Sequence, residues 1–153
     1  MDIRIARIFN AYGPRLGAAD GRVISSFIAA ALAGEDIKIT GNGSATRSFQ
    51  YVSDCIQGLY MLMNSDYSDG PVNIGSETET TIQEVADITT DLVSKLSGRP
   101  PVSIIYNPSP VDDVRVRRAD ITLARSKLGW EPVVSLQDGL RDTIHWHMQE
   151  LSN

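Results

Sequence analysis

The spacing of apolar residues changes several times along the chain, and it predicts helices that alternate with short strands. The run VISSFIAAALA at residues 23–33 is almost wholly apolar and is followed by Gly34, which predicts a helix that ends at this glycine. Thr81 and Glu84 have the capping-box spacing that opens a further helix. Short β-prone runs occupy residues 3–8, 36–40, 71–75 and 102–106. This alternation predicts an α/β fold.

A helix over residues 53–64 is predicted to begin at Ser53 as its N-cap. Its apolar residues recur at the spacing of one helix face, and we expect this helix, like the one after Thr81, to lack part of the surface on which it packs. These residues are Ile56, Leu59, Tyr60 and Met63. Downstream, Asp120 is expected to cap a short helix, and Ser135 with Asp138 is expected to open the last one.

The first predicted strand, at residues 3–8, has no βαβ unit before it in this sequence. A parallel strand needs neighbours on both edges and helices over both faces. We therefore expect the later part of a larger α/β fold, whose first strand exposes apolar side chains and promotes association or aggregation. The alternative is a compact unit that folds by itself from residue 21 onward.

Charge and composition exclude several classes of function. The chain of 153 residues carries 14 Lys and Arg against 19 Asp and Glu, a net charge of −5 that argues against a general affinity for nucleic acid. No apolar run approaches the roughly 18 residues of a membrane span. Cys55 is the only cysteine, so neither an internal disulfide nor a cysteine-based metal site is expected. We expect a cytoplasmic protein with no membrane segment in this chain; a Golgi-type anchor in preceding sequence remains an open alternative.

Two motifs of dinucleotide-dependent oxidoreductases are absent from the sequence. The glycines at 13, 17 and 21 are too widely spaced for a phosphate-binding turn, and those at 41 and 43 lack a third partner. None of the five tyrosines is followed four positions later by lysine, so the acid/base pair of short-chain dehydrogenases is missing too. No residue of this chain is therefore predicted to be catalytic.

Five segments in register resemble the C-terminal portion of the extended short-chain dehydrogenases that act on nucleotide sugars. They are RIFNAYGPR at 7–15, GRVISSFI at 21–28, GNGSATRSFQYVSD at 41–54, PVNIGSETETTIQEVA at 71–86 and DDVRVRRADITLARSKLGWEP at 112–132. Within that family, the second, third and fifth segments are most similar to UDP-glucuronate decarboxylases, also called UDP-xylose synthases. The resemblance implies a Rossmann-type fold without its N-terminal βαβ units. Residues 1–153 would form one region, in which the last part of the NAD-binding sheet is interleaved with the nucleotide-sugar-binding subdomain.

The resemblance also implies a reaction, a cofactor and a partner. Bound NAD would oxidise C4 of UDP-glucuronate, the β-keto acid would lose CO₂, and the retained NADH would reduce the ketone to give UDP-xylose. Most of the NAD site would lie in sequence that this chain lacks, and full-length members are expected to be homodimers. Two alternatives stay open: a non-catalytic truncated fragment, and a related nucleotide-sugar epimerase or dehydratase.

Four arginines in the family-like segments are candidates for binding the diphosphate of a UDP-sugar, because a planar guanidinium can donate two parallel hydrogen bonds to a phosphate. The resemblance implies that Arg47 clasps the diphosphate and that Arg117 lies beside the phosphate and the sugar. Arg22 would touch either the cofactor or the substrate. Arg115 is either a further contact or a surface neighbour.

The end of the first strand supplies the remaining candidates. Asn10 would bind a phosphate or a sugar hydroxyl, since ligands of α/β sheets gather at the carboxyl ends of strands, or it would only stabilise its own loop. By resemblance, Phe9 and Ala11 would lie near the nicotinamide and Val23 would offer its backbone to the base. Asn73 is either a further ligand contact or a structural hydrogen-bond donor. No metal site is predicted.

Overall fold

The computed structural model describes residues 2–17, 20–108 and 116–151. Its elements follow one another as β1 (Ala6–Ile8), β2 (Ala11–Tyr12), α1 (Val23–Ala33), β3 (Ile37–Thr40), β4 (Thr46–Ser48), β5 (Gln50–Tyr51), α2 (Val52–Met63), β6 (Val72–Ile74), β7 (Glu79–Thr81), α3 (Ile82–Ser97), β8 (Ile104–Asn107), β9 (Val116–Arg117), α4 (Thr122–Leu128) and α5 (Leu136–Glu150). The predicted α/β class is confirmed. None of the described helices is both long and apolar enough to cross a membrane.

Most strand pairs in the described part of the chain are parallel. β1 pairs with β6, β2 with β5 and β3 with β8, each in parallel orientation. β4 lies between β7, which is antiparallel to it, and β9, which is parallel. Because parallel strands cannot be joined by a tight turn, helices and long loops connect them.

Two hydrophobic clusters hold these elements together. The larger one lies among α1, β3, α3 and α5 and includes Ile28, Val85 and Ile144, all fully buried. The smaller one lies beneath the β1–β6 pair and includes Ile74 and Trp130. Apolar burial of this kind is the main favourable contribution to folding, so each cluster stabilises its own group of elements.

Local sequence signals set most helix ends as predicted. The backbone N–H of Gly34, with φ 77°, donates to carbonyls in the last turn of α1. Thr81 and Glu84 form the predicted capping box of α3, in which the Glu84 N–H donates to the Thr81 hydroxyl at 3.1 Å. At α5, Ser135 accepts from the N–H of Asp138 at 3.1 Å. These confirmed ends need only neighbours in sequence.

Helix α2 departs from the prediction in its start. It follows β5 directly and begins at Val52, so Ser53 lies inside the helix and its prediction as N-cap is wrong. The apolar face of α2 is open to solvent, since Ile56, Tyr60 and Met63 are each at least 59% exposed. The opposite face, with Asp54 and Gly58, points inward.

The inward face of α2 holds the segment between α4 and α5. The buried Asp54 carboxylate accepts hydrogen bonds from the backbone N–H groups of Val133 and Val134, at 3.1 and 3.0 Å. The indole of Trp130 donates to the Asp54 carbonyl at 3.1 Å. Buried carboxylates are stable only with such donors, which is why this helix face cannot be apolar throughout.

Replacing Gly58 by alanine should destabilise the protein. A Cβ there would lie 2.8 Å from Cε2 of Trp130 and 3.0 Å from Cγ2 of Ile74. Overpacking costs about 1–3 kcal/mol, more than the roughly 0.5–1 kcal/mol that alanine gains over glycine in a helix. Urea unfolding should therefore show a lower midpoint for Gly58→Ala than for the exposed control Gln57→Ala. Equal midpoints would contradict this account of the packing.

His147 should make stability fall in mild acid. Its ring is buried, and Nε2 has no hydrogen-bond partner among the described residues. Burial lowers the pKa of His147, so the folded protein binds this proton less readily than the unfolded chain. The stabilising effect is complete above the ordinary histidine pKa of about 6.5 and is lost as pH falls below it. Between pH 7.5 and 5.5, the free energy of unfolding should fall less for His147→Gln than for the exposed control His145→Gln. Equal falls in the two variants, measured by urea unfolding, would contradict the role of His147.

Candidate functional site

A buried glutamine joins the carboxyl ends of two parallel strands. β1 and β6 run in the same direction and end at Ile8 and Ile74. The side-chain amide of Gln50 donates to the carbonyl of Phe9 at 3.0 Å and to that of Ile74 at 2.8 Å. These two hydrogen bonds fix the edge of the sheet at which ligands of α/β proteins bind. Sequence reasoning missed Gln50, although it stands inside the distinctive segment at 41–54.

Phe9 packs at this edge of the sheet, beside Gly75 and Ala119. A Cβ on Gly75 would lie 2.9 Å from Cβ of Phe9 and 2.8 Å from Cβ of Ala119. Only glycine therefore lets the chain after β6 pass between the Phe9 ring and the segment after β9. Phe9 is half-buried as a result and forms an apolar boundary of the strand ends.

A cavity of about 190 Å³ brings together five of the residues predicted from the sequence. They are Asn10, Ala11, Arg22, Val23 and Arg47. Apolar and aromatic side chains supply its other walls, among them Tyr12 and Phe49. The first turn of α1 lines this cavity and has no side-chain cap, and the N–H groups of a helix start favour an anion. The described residues thus combine cationic, amide and apolar groups at one site.

Arg47 and Arg117 are neighbours in the sheet. β4 and β9 pair in parallel, with Arg47 opposite Arg117 in the register. The Arg47 guanidinium is half-buried and donates to the carbonyl of Thr46 at 2.8 Å. Arg115 lies outside the described residues. The register thus places the backbones of two of the four arginines opposite one another.

Arg22 lines the cavity, but its positive charge is already paired with the carboxylate of Asp20. Its guanidinium forms an ion pair with Asp20, with a second hydrogen bond at 3.2 Å. Hydrogen bonding to Asp20 raises the pKa of Arg22, and the same contact lowers the pKa of Asp20. A phosphate bound at this exposed position would have to replace the Asp20 carboxylate.

The two asparagines singled out in the sequence both make structural hydrogen bonds. The Asn10 side-chain N–H donates to the carbonyl of Ser48 at 3.2 Å, which holds the amide at the wall of the cavity. The Asn73 side chain donates to the carbonyl of Asp120 at 2.8 Å, as expected under its structural interpretation. Asn10 thus combines a structural bond with a place in the cavity.

Tyr12 and Cys55 are structural. The Tyr12 hydroxyl donates to the carbonyl of Leu136 at 3.2 Å, and its ring meets that of Tyr51 edge-on at 5.6 Å. Burial, followed by the nearby charges, holds the pKa of Tyr12 well above its usual value. Burial likewise raises the pKa of the Cys55 thiol, which disfavours the reactive thiolate. Within residues 2–17, 20–108 and 116–151, no group of His, Cys, Asp and Glu could hold a metal ion.

Replacing Gln50 by glutamate tests the bridge between the strand ends. The new carboxylate would face two carbonyl oxygens in a buried position, so its pKa should rise in the folded state. The folded protein then holds this proton more tightly than the unfolded chain, and stability is lost as pH rises above about 4.3. One unit of pKa shift corresponds to about 1.4 kcal/mol, so at least this loss is expected by pH 8. Urea unfolding at pH 5 and 8, beside the exposed control Gln137→Glu, measures it; a flat profile for Gln50→Glu would contradict the bridge.

A cavity with cationic and amide walls lies at the carboxyl end of β1, the edge at which ligands of α/β sheets commonly bind. Residues 1–143 match the family model described as GDP-mannose 4,6 dehydratase, and the chain belongs to this family of extended short-chain dehydrogenases. It is 47% identical to UDP-glucuronic acid decarboxylase 1 of Danio rerio over 153 residues, which is all of this chain and 35% of that protein. The predicted resemblance is therefore confirmed.

Two solved structures are similar to the chain along nearly its whole length. The UDP-glucose 4-epimerase of Thermotoga maritima, solved with UDP-glucose, has a TM-score of 0.85 at 32% identity, over 97% of this chain and 46% of that one. The UDP-glucuronic acid 4-epimerase of Bacillus cereus, in complex with UDP-glucuronic acid and NAD, has a TM-score of 0.83 at 28% identity, over 98% and 46%. The chain thus spans less than half the length of these proteins.

Proposed function

We propose that this chain is the nucleotide-sugar-binding portion of an NAD-dependent UDP-glucuronate decarboxylase. The observation that carries the proposal is the convergence of Asn10, Arg22, Val23 and Arg47 on one cavity beside the start of α1. Identity favours this reaction over the sister activities, because the Danio rerio decarboxylase is 47% identical and the two epimerases are 32% and 28% identical.

In the proposed complex the cavity holds the UDP moiety. Arg47 donates to the diphosphate. Arg117, whose backbone lies opposite Arg47 in the register, is assigned to the phosphate and the sugar on family resemblance. The N–H groups at the start of α1 add a partial positive charge, and Val23 offers its backbone to the base. Arg22 exchanges Asp20 for a phosphate oxygen. Arg115 is assigned the same surroundings as Arg117 on resemblance alone.

NAD supplies the oxidation and re-reduction of the sugar in this reaction. The residues of this chain that fit it are Phe9 and Ala11, which flank Asn10 and give the strand end an apolar wall suited to a nicotinamide ring. A phosphate cradle for the dinucleotide has no counterpart in the glycine spacing of this sequence. The chain therefore contributes one wall of the cofactor site and orients the substrate against it.

The two hydrophobic clusters support the proposed organisation of residues 1–153 as one interleaved region. The cluster beneath β1 and β6 would belong to the NAD-binding sheet, and the cluster among α1, β3, α3 and α5 to the nucleotide-sugar subdomain. The chain passes between the two clusters several times. It runs from β1 at the smaller cluster to α1 and β3 at the larger one, returns to the smaller cluster with α2 and β6, and continues to α3 at the larger one.

Titration calorimetry with UDP and with uridine tests the diphosphate contact. Losing a charged hydrogen bond costs about 1.5–3 kcal/mol, so Arg47→Ala should weaken UDP binding about 10- to 100-fold. Uridine lacks the diphosphate, and its affinity should not change. The matched control is Arg141→Ala, which removes a surface arginine paired with Asp138.

The proposal would fail if the native protein bound neither UDP nor UDP-glucuronate, or if Arg47→Ala weakened uridine and UDP equally. The reaction itself is tested with the remainder of the enzyme supplied, by mass spectrometry of the product formed from UDP-glucuronate and NAD. UDP-xylose supports the decarboxylase, whereas an epimerised or dehydrated nucleotide sugar would assign the chain to a sister enzyme.

A further inference from the structure

The loop between β3 and β4 contains the only Asn–Gly pair of the sequence. Asn42 is exposed and is followed directly by Gly43. The side-chain amide of an asparagine can be attacked by the backbone nitrogen of the next residue, and a glycine at that place presents no Cβ to obstruct the approach. The pair therefore marks the asparagine of this chain whose amide is sterically the least protected from its own backbone.

The Asn42 side chain is folded back over the loop. Its carbonyl oxygen Oδ1 accepts a hydrogen bond from the backbone N–H of Ser44 at 3.1 Å. This hydrogen bond closes a ring of atoms that contains the Gly43 nitrogen, so the Asn42 Cγ is kept on the side of that nitrogen. The carbon that would be attacked and the nitrogen that would attack it are thus held near one another by the fold.

Two donors polarise the amide carbonyl of Asn42. Besides its backbone N–H, Ser44 supplies its hydroxyl, which donates to Oδ1 at 2.7 Å. Negative charge develops on this oxygen when a nucleophile adds to Cγ, and donors that are already aimed at such an oxygen lower the barrier to the addition. One neighbouring residue therefore provides both the stabilisation of the oxygen and a hydroxyl proton for the leaving group.

The backbone nitrogen of Gly43 is unpaired in the described part of the chain, where its N–H donates to no acceptor. The N–H groups of Gly41 and Ser44, in contrast, both form hydrogen bonds. Gly43 is buried beneath Gln83, so the hydroxide that removes its proton approaches from the exposed side of the loop, where Asn42 lies. No hydrogen bond has to be broken to make this nitrogen a nucleophile.

We propose that Asn42 is a site of spontaneous deamidation that the folded loop promotes. The Gly43 nitrogen gives its proton to hydroxide and forms a bond to the Asn42 Cγ, which closes a succinimide ring. The bond between Cγ and the side-chain nitrogen breaks, and that nitrogen leaves as ammonia with a proton from the Ser44 hydroxyl. Water returns the proton to Ser44 and so regenerates the hydroxide.

Hydrolysis of the succinimide gives two products. Water adds to one of the two ring carbonyl carbons, and the bond from that carbon to the Gly43 nitrogen breaks. Opening at Cγ leaves an ordinary aspartate at position 42. Opening at the backbone carbonyl carbon leaves an isoaspartate, in which the main chain continues through Cγ and is longer by one methylene group. No oxidant or reductant takes part in either step.

The two products differ in their effect on the start of α3. The loop supplies acceptors to two N–H groups of the first turn, because the carbonyl of Gly43 accepts from Gln83 at 3.1 Å and that of Ala45 accepts from Ile82 at 3.0 Å. The extra methylene of isoaspartate lies directly before Gly43 and displaces its carbonyl from the helix. Aspartate keeps the chain length and only adds a negative charge beside a helix start, where such a charge is favourable.

Peptide mapping of the native chain after prolonged incubation tests the proposal. Trypsin cleaves after Lys38 and Arg47 and releases residues 39–47, a peptide whose only asparagine is Asn42. Mass spectrometry measures the conversion of the amide to an acid, and an isoaspartyl methyltransferase assay quantifies the isoaspartate. We expect both products, with a rate that rises in proportion to the hydroxide concentration because hydroxide takes the Gly43 proton.

Asn64 is the control within the same chain. It is exposed like Asn42, but it is followed by serine, and its side-chain N–H donates to the carbonyl of Tyr60 at 2.8 Å. Because the next residue carries a Cβ and no donor is found at its side-chain oxygen among the described residues, its conversion should be much slower than that of Asn42. Equal conversion at the two asparagines would contradict a promoting loop.

Two variants of Ser44 separate the folded loop from the sequence motif. Ser44→Ala removes the hydroxyl that donates to Oδ1, whereas Ser44→Thr keeps it. Loss of this hydrogen bond should slow the conversion of Asn42 in the folded chain about three- to tenfold, and Ser44→Thr should stay within about twofold of the native rate. In urea the loop is unfolded, so the difference between the two variants should disappear there.

Conversion of Asn42 in the urea-unfolded chain alone would overturn the proposal, because the fold would then protect the amide. An unchanged rate in folded Ser44→Ala would overturn it as well. The contact with α3 is tested on the separated products by urea unfolding. The isoaspartate form should have a lower midpoint than the native chain, while Asn42→Asp, which reproduces the other product, should match it; equal midpoints of all three would refute the effect on the helix start.

Discussion

The side-chain amide of Gln50 is the interaction on which the arrangement of the two hydrophobic clusters depends. Its backbone belongs to β5, which pairs with β2 beside the larger cluster, while its side chain reaches the ends of β1 and β6 above the smaller one. A buried amide is stable only when its donors find acceptors, and here those acceptors are the carbonyls of Phe9 and Ile74. The same contact fixes the strand end from which Asn10 extends toward the cavity.

Helix α2 shows how the demands of neighbouring segments can reverse an amphipathic pattern. Its inward face needs Gly58 so that Trp130 can approach, and Asp54 so that two backbone N–H groups are satisfied. The large apolar residues are left for the outward face. An apolar stripe therefore identifies a surface that requires cover, and the cover need not come from the same described chain.

The sequence sufficed where the determining partners are close in the chain. The ends of α1, α3 and α5 follow from Gly34, from the Thr81–Glu84 pair and from Ser135, and each was predictable. The strands β2, β4, β5, β7 and β9 have only two or three residues and exist through pairing with distant segments, which no local pattern reveals.

Some features of the candidate site were predictable from the sequence and others were not. A family-like motif was enough to select Asn10 and Arg47, and the structure brings both to one cavity. The bridging role of Gln50 was not predicted, because residue type and spacing do not state which distant carbonyls a side chain will meet. The ion pair of Arg22 with Asp20 was not predicted either, although Asp20 is only two residues away in the sequence.

The pairing of β1 with β6 also bears on how the protein folds. Ala6 meets Val72 only after the elements from β2 to α2 have been bridged, so this pair closes a long loop. The entropy of loop closure rises with the length of the loop, and contacts between distant segments slow folding. We expect the capped helices to form early and the β1–β6 pair to form late. Until β6 pairs with β1, the backbone groups of β1 stay exposed and can associate with other chains during synthesis.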